Sequence, residues 1–177
     1  MPMSLDEVLT HDIDTLHLLY QWEVAEPEQE QYTCRPVRPV ADCSTFLRML
    51  RQRLENRSLR IFVARDWPTG NMLGKIVVFD YNPRNKSAEF GYYLPPEHRG
   101  KGLGQNMVAT FLSYMFSDPV WSLNKLYATT ASGNQPSVRL LQHLGFHLDG
   151  VMREHYWFPS GFQDQWHFLL LKREWRI

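Results

Sequence analysis

The sequence is poor in cysteine: 177 residues contain only Cys34 and Cys43. Neither lies in a CxxC or Cys/His spacing, so they build no metal centre and read as two reduced thiols. The histidines, among them His98, His143, His147 and His167, likewise show no HExxH or other ligand spacing, and no metal is expected. Net charge is also lacking, since 19 Lys+Arg offset 19 Asp+Glu. A chain with no global field has little hold on a polyanion in physiological salt, so nucleic acid is not an expected partner. No stretch approaches the ~20 apolar residues of a membrane-spanning helix. Residues 1–14 carry acidic side chains and neither a basic n-region nor an apolar h-region, so the expectation is no secretory signal, no membrane association and a cytoplasmic location. Internal repeats and low-complexity tracts are absent as well.

What is present is enough to fill a core. Hydrophobic residues make up 44% and aromatic residues 14% of the chain. Against roughly 150 residues per domain, residues 1–177 are expected to form one domain.

Hydrophobic periodicity predicts a first strand over Leu5–Thr10, then a helix capped by Asp12 or Asp14 that runs through Leu16, Leu19 and Tyr20 towards Trp22. Residues 23–40, with Pro27, Pro36 and Pro39, read as a loop. Asp42 or Ser44 caps a second helix, with Phe46, Leu47, Leu50 and Leu54 on one face and Arg48, Arg51 and Arg53 towards water. Leu59–Arg65, Leu73–Tyr81 and Ser87–Leu94 alternate as strands between strong turn signals and suggest an antiparallel meander. A helix through Met107, Val108, Phe111, Leu112 and Met115, a strand over Lys125–Thr130 and a helix over Gln135–Leu144 follow, the last ended by Gly145. Phe146–Phe158 and Phe162–Leu171 close the chain as a hairpin around Pro159-Ser160-Gly161.

The densest chemical signal is Arg99-Gly100-Lys101-Gly102-Leu103-Gly104 between a strand and a helix. Three glycines in five residues let backbone N–H groups approach an anion where the helix dipole also favours negative charge. The order of residues is not that of a Walker A loop, because no Lys-Ser/Thr pair follows the last glycine. It is not a dinucleotide fingerprint either, for the spacing is GxGxG and the next strand ends without a ribose-binding acid.

Arg99-x-x-Gly102-x-Gly104 resembles the pyrophosphate loop of the GNAT family of acyl-CoA-dependent N-acyltransferases. Asn134-x-x-Ser137 with Leu140-Leu141 and Leu144-Gly145-Phe146 is similar to that family's second motif, and Ala88–Leu94 to the strand that precedes its loop. Asp149–Glu154, Asp164 and Lys172–Trp175 resemble the C-terminal half of the RimJ/RimL-type branch. The segment least like the family is Glu23–Ala41. The implied fold is α/β (α+β): a mixed, mostly antiparallel sheet of about seven strands flanked by helices.

The resemblance also implies roles. Backbone groups of Tyr92, Tyr93 and Leu94 would hold the pantetheine arm of acetyl-CoA and polarise its thioester. Arg99, Gly100, Lys101, Gly102, Leu103, Gly104 and Gln105 would wrap the pyrophosphate, and Asn134 would hydrogen-bond the arm. Ser137 would protonate the departing thiolate. The tyrosine acid of many relatives falls on Leu141 here and a glutamate base on Thr129, so neither transfers. Glu154 or His155 would act as a base through water, with Glu89 as a further carboxylate. Asn134 and Ser137 also suit a plain helix cap and first turn.

The implied function is acetyl transfer from acetyl-CoA to a primary amine by direct attack in a ternary complex. The acceptor stays open between a protein N-terminal α-amine and a small-molecule amine or antibiotic. A weak base favours the α-amine, whose reference pKa is near 8 against about 10.4 for lysine. A non-catalytic acyl-CoA-binding module and a transferase of longer acyl groups are the alternatives. The aromatic residues Trp157, Phe158, Phe162 and Trp166 read mainly as strand core, with an acceptor cleft or a homodimer contact as the other options.

Overall fold

The computed structural model describes residues 3–26, 33, 41–67 and 69–176. Along the chain these form β1 (Met3–Glu7), α1 (Ile13–Ala25), α2 (Cys43–Glu55), β2 (Arg60–Asp66), β3 (Met72–Asn82), β4 (Ser87–Tyr93), α3 (Leu103–Ser117), β5 (Lys125–Ala131), α4 (Gln135–His143), β6 (His147–Phe158) and β7 (Gly161–Leu171). A short 3-10 turn at Pro96–His98 precedes α3.

The strands make one sheet in the order β1-β2-β3-β4-β5-β7-β6. β4 and β5 run parallel, and each other neighbouring pair is antiparallel. This is the expected mixed, mostly antiparallel sheet with helices on its faces.

Alternating residues of the inner strands feed two cores. Phe62, Ile76, Val78, Phe90, Leu126 and Phe168 pack against Met107, Val108, Phe111 and Leu112 of α3 and Val138 and Leu141 of α4. Ile61 and Val63 point the other way, to Leu16 and Leu19 of α1 and Leu47 and Leu50 of α2. A sheet covered on both faces needs apolar residues at both strand parities, which explains why β2 is nearly continuous in hydrophobic residues.

The first strand ends earlier than expected, at Glu7. Val8 still donates its N–H to Ile61, but Asp12 donates back to Leu9, so the chain turns before Thr10 can pair. Helix α1 starts after Asp12 without a side-chain cap bond and extends to Ala25, past the expected end. Asp42 caps α2 by accepting from the Thr45 N–H, and the Ser44 hydroxyl also donates to it. Those bonds bring the Asp42 carboxyl down to about 2. Arg48 and Arg53 face water as expected, whereas Arg51 is half-buried. Helix α4 stops one residue early, at His143, and Gly145 takes the left-handed conformation with φ +86° that ends it. Cys43 has a free thiol, while Cys34 and most of the expected 23–40 loop lie outside the described residues.

Candidate active site

The site begins where sheet pairing stops. β4 and β5 pair only at Ser87↔Lys125, Ala88↔Leu126 and Glu89↔Tyr127. Beyond that point β4 remains paired to β3 as far as Tyr93, and β5 to β7 as far as Ala131. The two parallel strands therefore diverge, and the backbone edges that face across the gap have no strand partner. Such groups require another partner, and a ligand can supply it. At the point of divergence Thr129 Oγ1 donates to Glu89 Oε1 at 2.8 Å.

The gap opens into a cleft of about 750 Å³, within the usual size of small-molecule sites. Its walls include Tyr92, Tyr93 and Leu94 of β4 and its exit, Arg99, Gly100, Gly102, Gly104 and Gln105 of the glycine loop, and Asn134 and Ser137 of α4. Ten of the expected site residues thus converge on one cavity. Lys101 and Leu103 do not line it: Lys101 donates to the Glu97 carbonyl and Leu103 is buried in the core.

The glycines serve different ends. Gly100 and Gly102 adopt φ of +74° and +73°, and a Cβ on either would meet nothing within 4 Å. They are there for the left-handed turn that points backbone towards the cleft. Gly104 lies inside α3, and its Cβ would fall 3.0 Å from Leu140 and 3.1 Å from Leu94. That glycine lets α3 approach α4 closely. Gly102 caps α3 without any side-chain bond, so the first N–H groups of the helix take no cap partner there and suit an anion. A pyrophosphate fits this cradle.

Asn134 caps α4, with its Oδ1 accepting from the Ser137 N–H at 3.4 Å. The side-chain amide nitrogen is then the part of Asn134 that can serve an occupant. Ser137, in the first turn of α4, places its Oγ 2.7 Å from the Tyr92 phenol. Burial pushes that phenol up to about 12, with the Ser137 bond acting in the opposite direction. Leu141 is fully buried, which removes its position from any chemistry in the cleft.

Glu154 is placed differently from the other candidates. It sits in an irregular stretch of β6 between Met152 and Tyr156, at φ +54°, and its N–H donates to Asp164 Oδ1. The bulge turns Glu154 and His155 out to solvent, and Tyr156 is the β6 residue that lines the cleft. Sequence reasoning missed Arg139 on the cleft wall. Pro136, Arg139, Leu140 and His143 all line it. Their i, i+3, i+4, i+7 spacing is one face of a helix, and that periodicity was the available signal.

Among the described residues no cluster of His, Cys, Asp and Glu is arranged to hold a metal ion. No helix of the described residues is long and apolar enough to cross a membrane.

Residues 4–147 match the acetyltransferase (GNAT) domain family. The spermidine N(1)-acetyltransferase of Vibrio cholerae is 30% identical over 111 residues, 63% of this chain and 62% of that protein. The uncharacterized N-acetyltransferase p20 of Bacillus licheniformis is 28% identical over 174 residues, 97% of this chain and 94% of that protein. The putative ribosomal N-acetyltransferase YdaF of Bacillus subtilis is 29% identical over 106 residues, 60% of this chain and 57% of that protein. The matches thus span less than two thirds of the Vibrio and Bacillus subtilis relatives. The crystal structure of the Vibrio cholerae spermidine N-acetyltransferase in complex with CoA and spermine has a TM-score of 0.84 at 22% identity, covering 97% of this chain and 96% of that one. That likeness shows a common fold. The family match contains β4, α3, β5 and α4 whole, the four elements whose divergence and helix ends make the cleft; this chain belongs to the GNAT acetyltransferase family.

Proposed function

We propose that the protein is an acetyl-CoA-dependent N-acetyltransferase acting on a primary amine by direct attack within a ternary complex. The observation that carries this reading is the three-residue pairing of β4 with β5, beyond which the strands separate around a cleft bounded by a glycine turn and a helix N-terminus. The unpaired strand edges suit the amide groups of a pantetheine arm. The start of α3 suits its pyrophosphate, and Arg139 adds a cation on the same wall.

In the proposed reaction the acceptor nitrogen attacks the thioester carbon. The carbonyl oxygen gains charge beside backbone N–H groups of Tyr93 and Leu94, whose effect is largest where charge develops. The C–S bond then breaks, and Ser137 gives its hydroxyl proton to the sulfur. The amine proton leaves to solvent by way of Glu89, the carboxylate that meets Thr129 where the strands part; Glu154, on its exposed bulge, does not line the cleft.

Two acceptor classes are favoured: a polyamine, from the similarity to the spermidine acetyltransferases, and a protein N-terminal α-amine, from the RimJ/RimL-like motifs, with which the similarity to a putative ribosomal N-acetyltransferase accords. A cytoplasmic setting accords with both. A homodimer is part of this reading too, because β6 is an edge strand that exposes Val151, Met152 and Trp157.

The test follows free thiol release from acetyl-CoA in the presence of spermidine, an amino sugar and a short peptide with a free N-terminus, with mass spectrometry of the products. Acetylation of one class identifies the acceptor. Tight acetyl-CoA binding without transfer to any amine would favour a non-catalytic acyl-CoA module, and faster transfer from a longer acyl-CoA would reassign the donor.

A further inference from the structure

Tyr92 entered the sequence reading only through its backbone. In the fold its side chain is the more informative part. Tyr92 pairs with Ile76 across β3, and its ring lies 6.3 Å from Phe90 on the sheet face that carries α3 and α4. From there the phenolic oxygen reaches Ser137 Oγ at 2.7 Å, and both residues line the cleft. The contact joins a strand to a helix 45 residues later, so no local pattern encodes it.

A serine in the first turn of a helix has one hydroxyl proton and a freely turning O–H. Left alone, that proton turns to a nearby backbone carbonyl or to water. The geometry points to Tyr92 as the positioning residue for Ser137: its phenol donates to Ser137 Oγ, which leaves the serine's own proton directed into the cleft towards the leaving sulfur. This rests on the proposed role of Ser137 as the acid.

The proton count is simple. The C–N bond forms as C–S breaks, the sulfur takes the Ser137 proton, and water restores it to Oγ once the amine has released its own proton to solvent. Between those events Ser137 Oγ is electron-rich, and the Tyr92 O–H bond to it is strongest then. A bond that strengthens only in the transition state raises kcat rather than acetyl-CoA affinity. Tyr92 does not itself surrender a proton. Its desolvated phenol holds the proton well past neutral pH, so that proton stays available for the bond to Ser137.

The experiment compares wild type, Y92F, S137A and the double variant, with acetyl-CoA plus spermidine in one arm and acetyl-CoA plus a free-amine peptide in the other. Y92F keeps the ring and removes one hydroxyl, so Tm and acetyl-CoA Kd should be close to wild type. The expected result is a kcat lower by about 5- to 10-fold, the worth of one hydrogen bond. KM for acetyl-CoA should move by less than about twofold, and the double variant should be no slower than S137A. Three results would overturn the assignment: wild-type kcat in Y92F, losses that multiply in the double variant, or a larger loss in Y92F than in S137A, which would make Tyr92 the acid. Wild-type kcat in S137A would instead remove Ser137 from the mechanism and Tyr92 with it. Absence of turnover by wild type in both arms would overturn the proposed activity itself.

Discussion

Glu26 and Arg99 form an ion pair at 3.2 Å that ties the end of α1 to the start of the glycine loop. The Arg99 Nε also donates to the Leu94 carbonyl at 2.8 Å, and the guanidinium lies 5.7 Å from the centre of the Tyr93 ring. Burial, reinforced by the Glu26 carboxylate, pushes the Tyr93 phenol up to about 12. Arg99 therefore braces the strand exit and the loop against each other besides presenting charge at the cleft.

Weakening this brace should loosen the cradle. Glu26→Gln keeps the shape and removes the charge, so acetyl-CoA Kd should rise about fivefold, the difference between a charge-assisted and a neutral hydrogen bond. Isothermal titration calorimetry reads this directly. Unchanged affinity would mean that the pair only closes the fold.

The two inner glycines should separate by experiment. Gly102→Val has room but is forced to φ +73°, so it should weaken acetyl-CoA binding while the unliganded Tm falls modestly. Gly104→Val places its side chain against Leu140 and Leu94 and should lower the unliganded Tm more. In thermal unfolding, wild type with acetyl-CoA at 100 times its Kd should gain about 2.7 kcal/mol. The Gly102 variant should lose most of that gain at the same ligand concentration.

Far from the cleft, Arg60 joins Glu7 and Asp118 while lying over the rings of Trp121 and Phe62. Arg60→Met leaves the Asp118 carboxylate, whose side chain is only 6% exposed, without its cation. Breaking a buried pair in this way should cost about 3 kcal/mol in urea unfolding. The pH dependence should also weaken. In wild type, burial opposes ionisation of Asp118, but the Arg60 bond and the Val120 N–H hold its carboxyl below the ordinary value. Its stabilisation is therefore present above the ordinary carboxylate range and is lost as pH falls through the lowered value. In the variant the Val120 and Trp121 N–H bonds still oppose burial but the Arg60 contribution is gone, so the carboxyl rises from its wild-type position and less stability is lost as pH falls.

The two carboxylates near the reaction should differ. Glu154→Gln is expected to leave kcat/KM unchanged across pH, because Glu154 lies outside the cleft wall. Glu89→Gln should lower kcat/KM about tenfold or more, since its carboxylate meets Thr129 where the strands part. Equal losses in both variants would restore Glu154 to the reaction.

Much of this protein is written locally. The alternation of β2, β3 and β4, the turns between them, the periodic face of α3 and the glycines at 100, 102 and 104 follow from near-neighbour chemistry. The convergence of Asn134 and Ser137 with the loop was implied by the resemblance to the family and not by near-neighbour chemistry. The helical face carrying Arg139 and His143 was equally available in the spacing.

What the sequence did not contain was the geometry between distant segments. The length of the β4–β5 pairing depends on how β3 and β7 hold their neighbours. Glu154 read as a candidate base by its position on the sixth strand, yet a bulge and a positive φ turned it to solvent. The Tyr92–Ser137 and Glu26–Arg99 contacts join residues 45 and 73 positions apart. Sequence alone determined which elements form and which atoms are chemically able to serve. The tertiary structure decided which of those atoms meet, because side-chain contacts across a sheet are set by register and packing rather than by propensity.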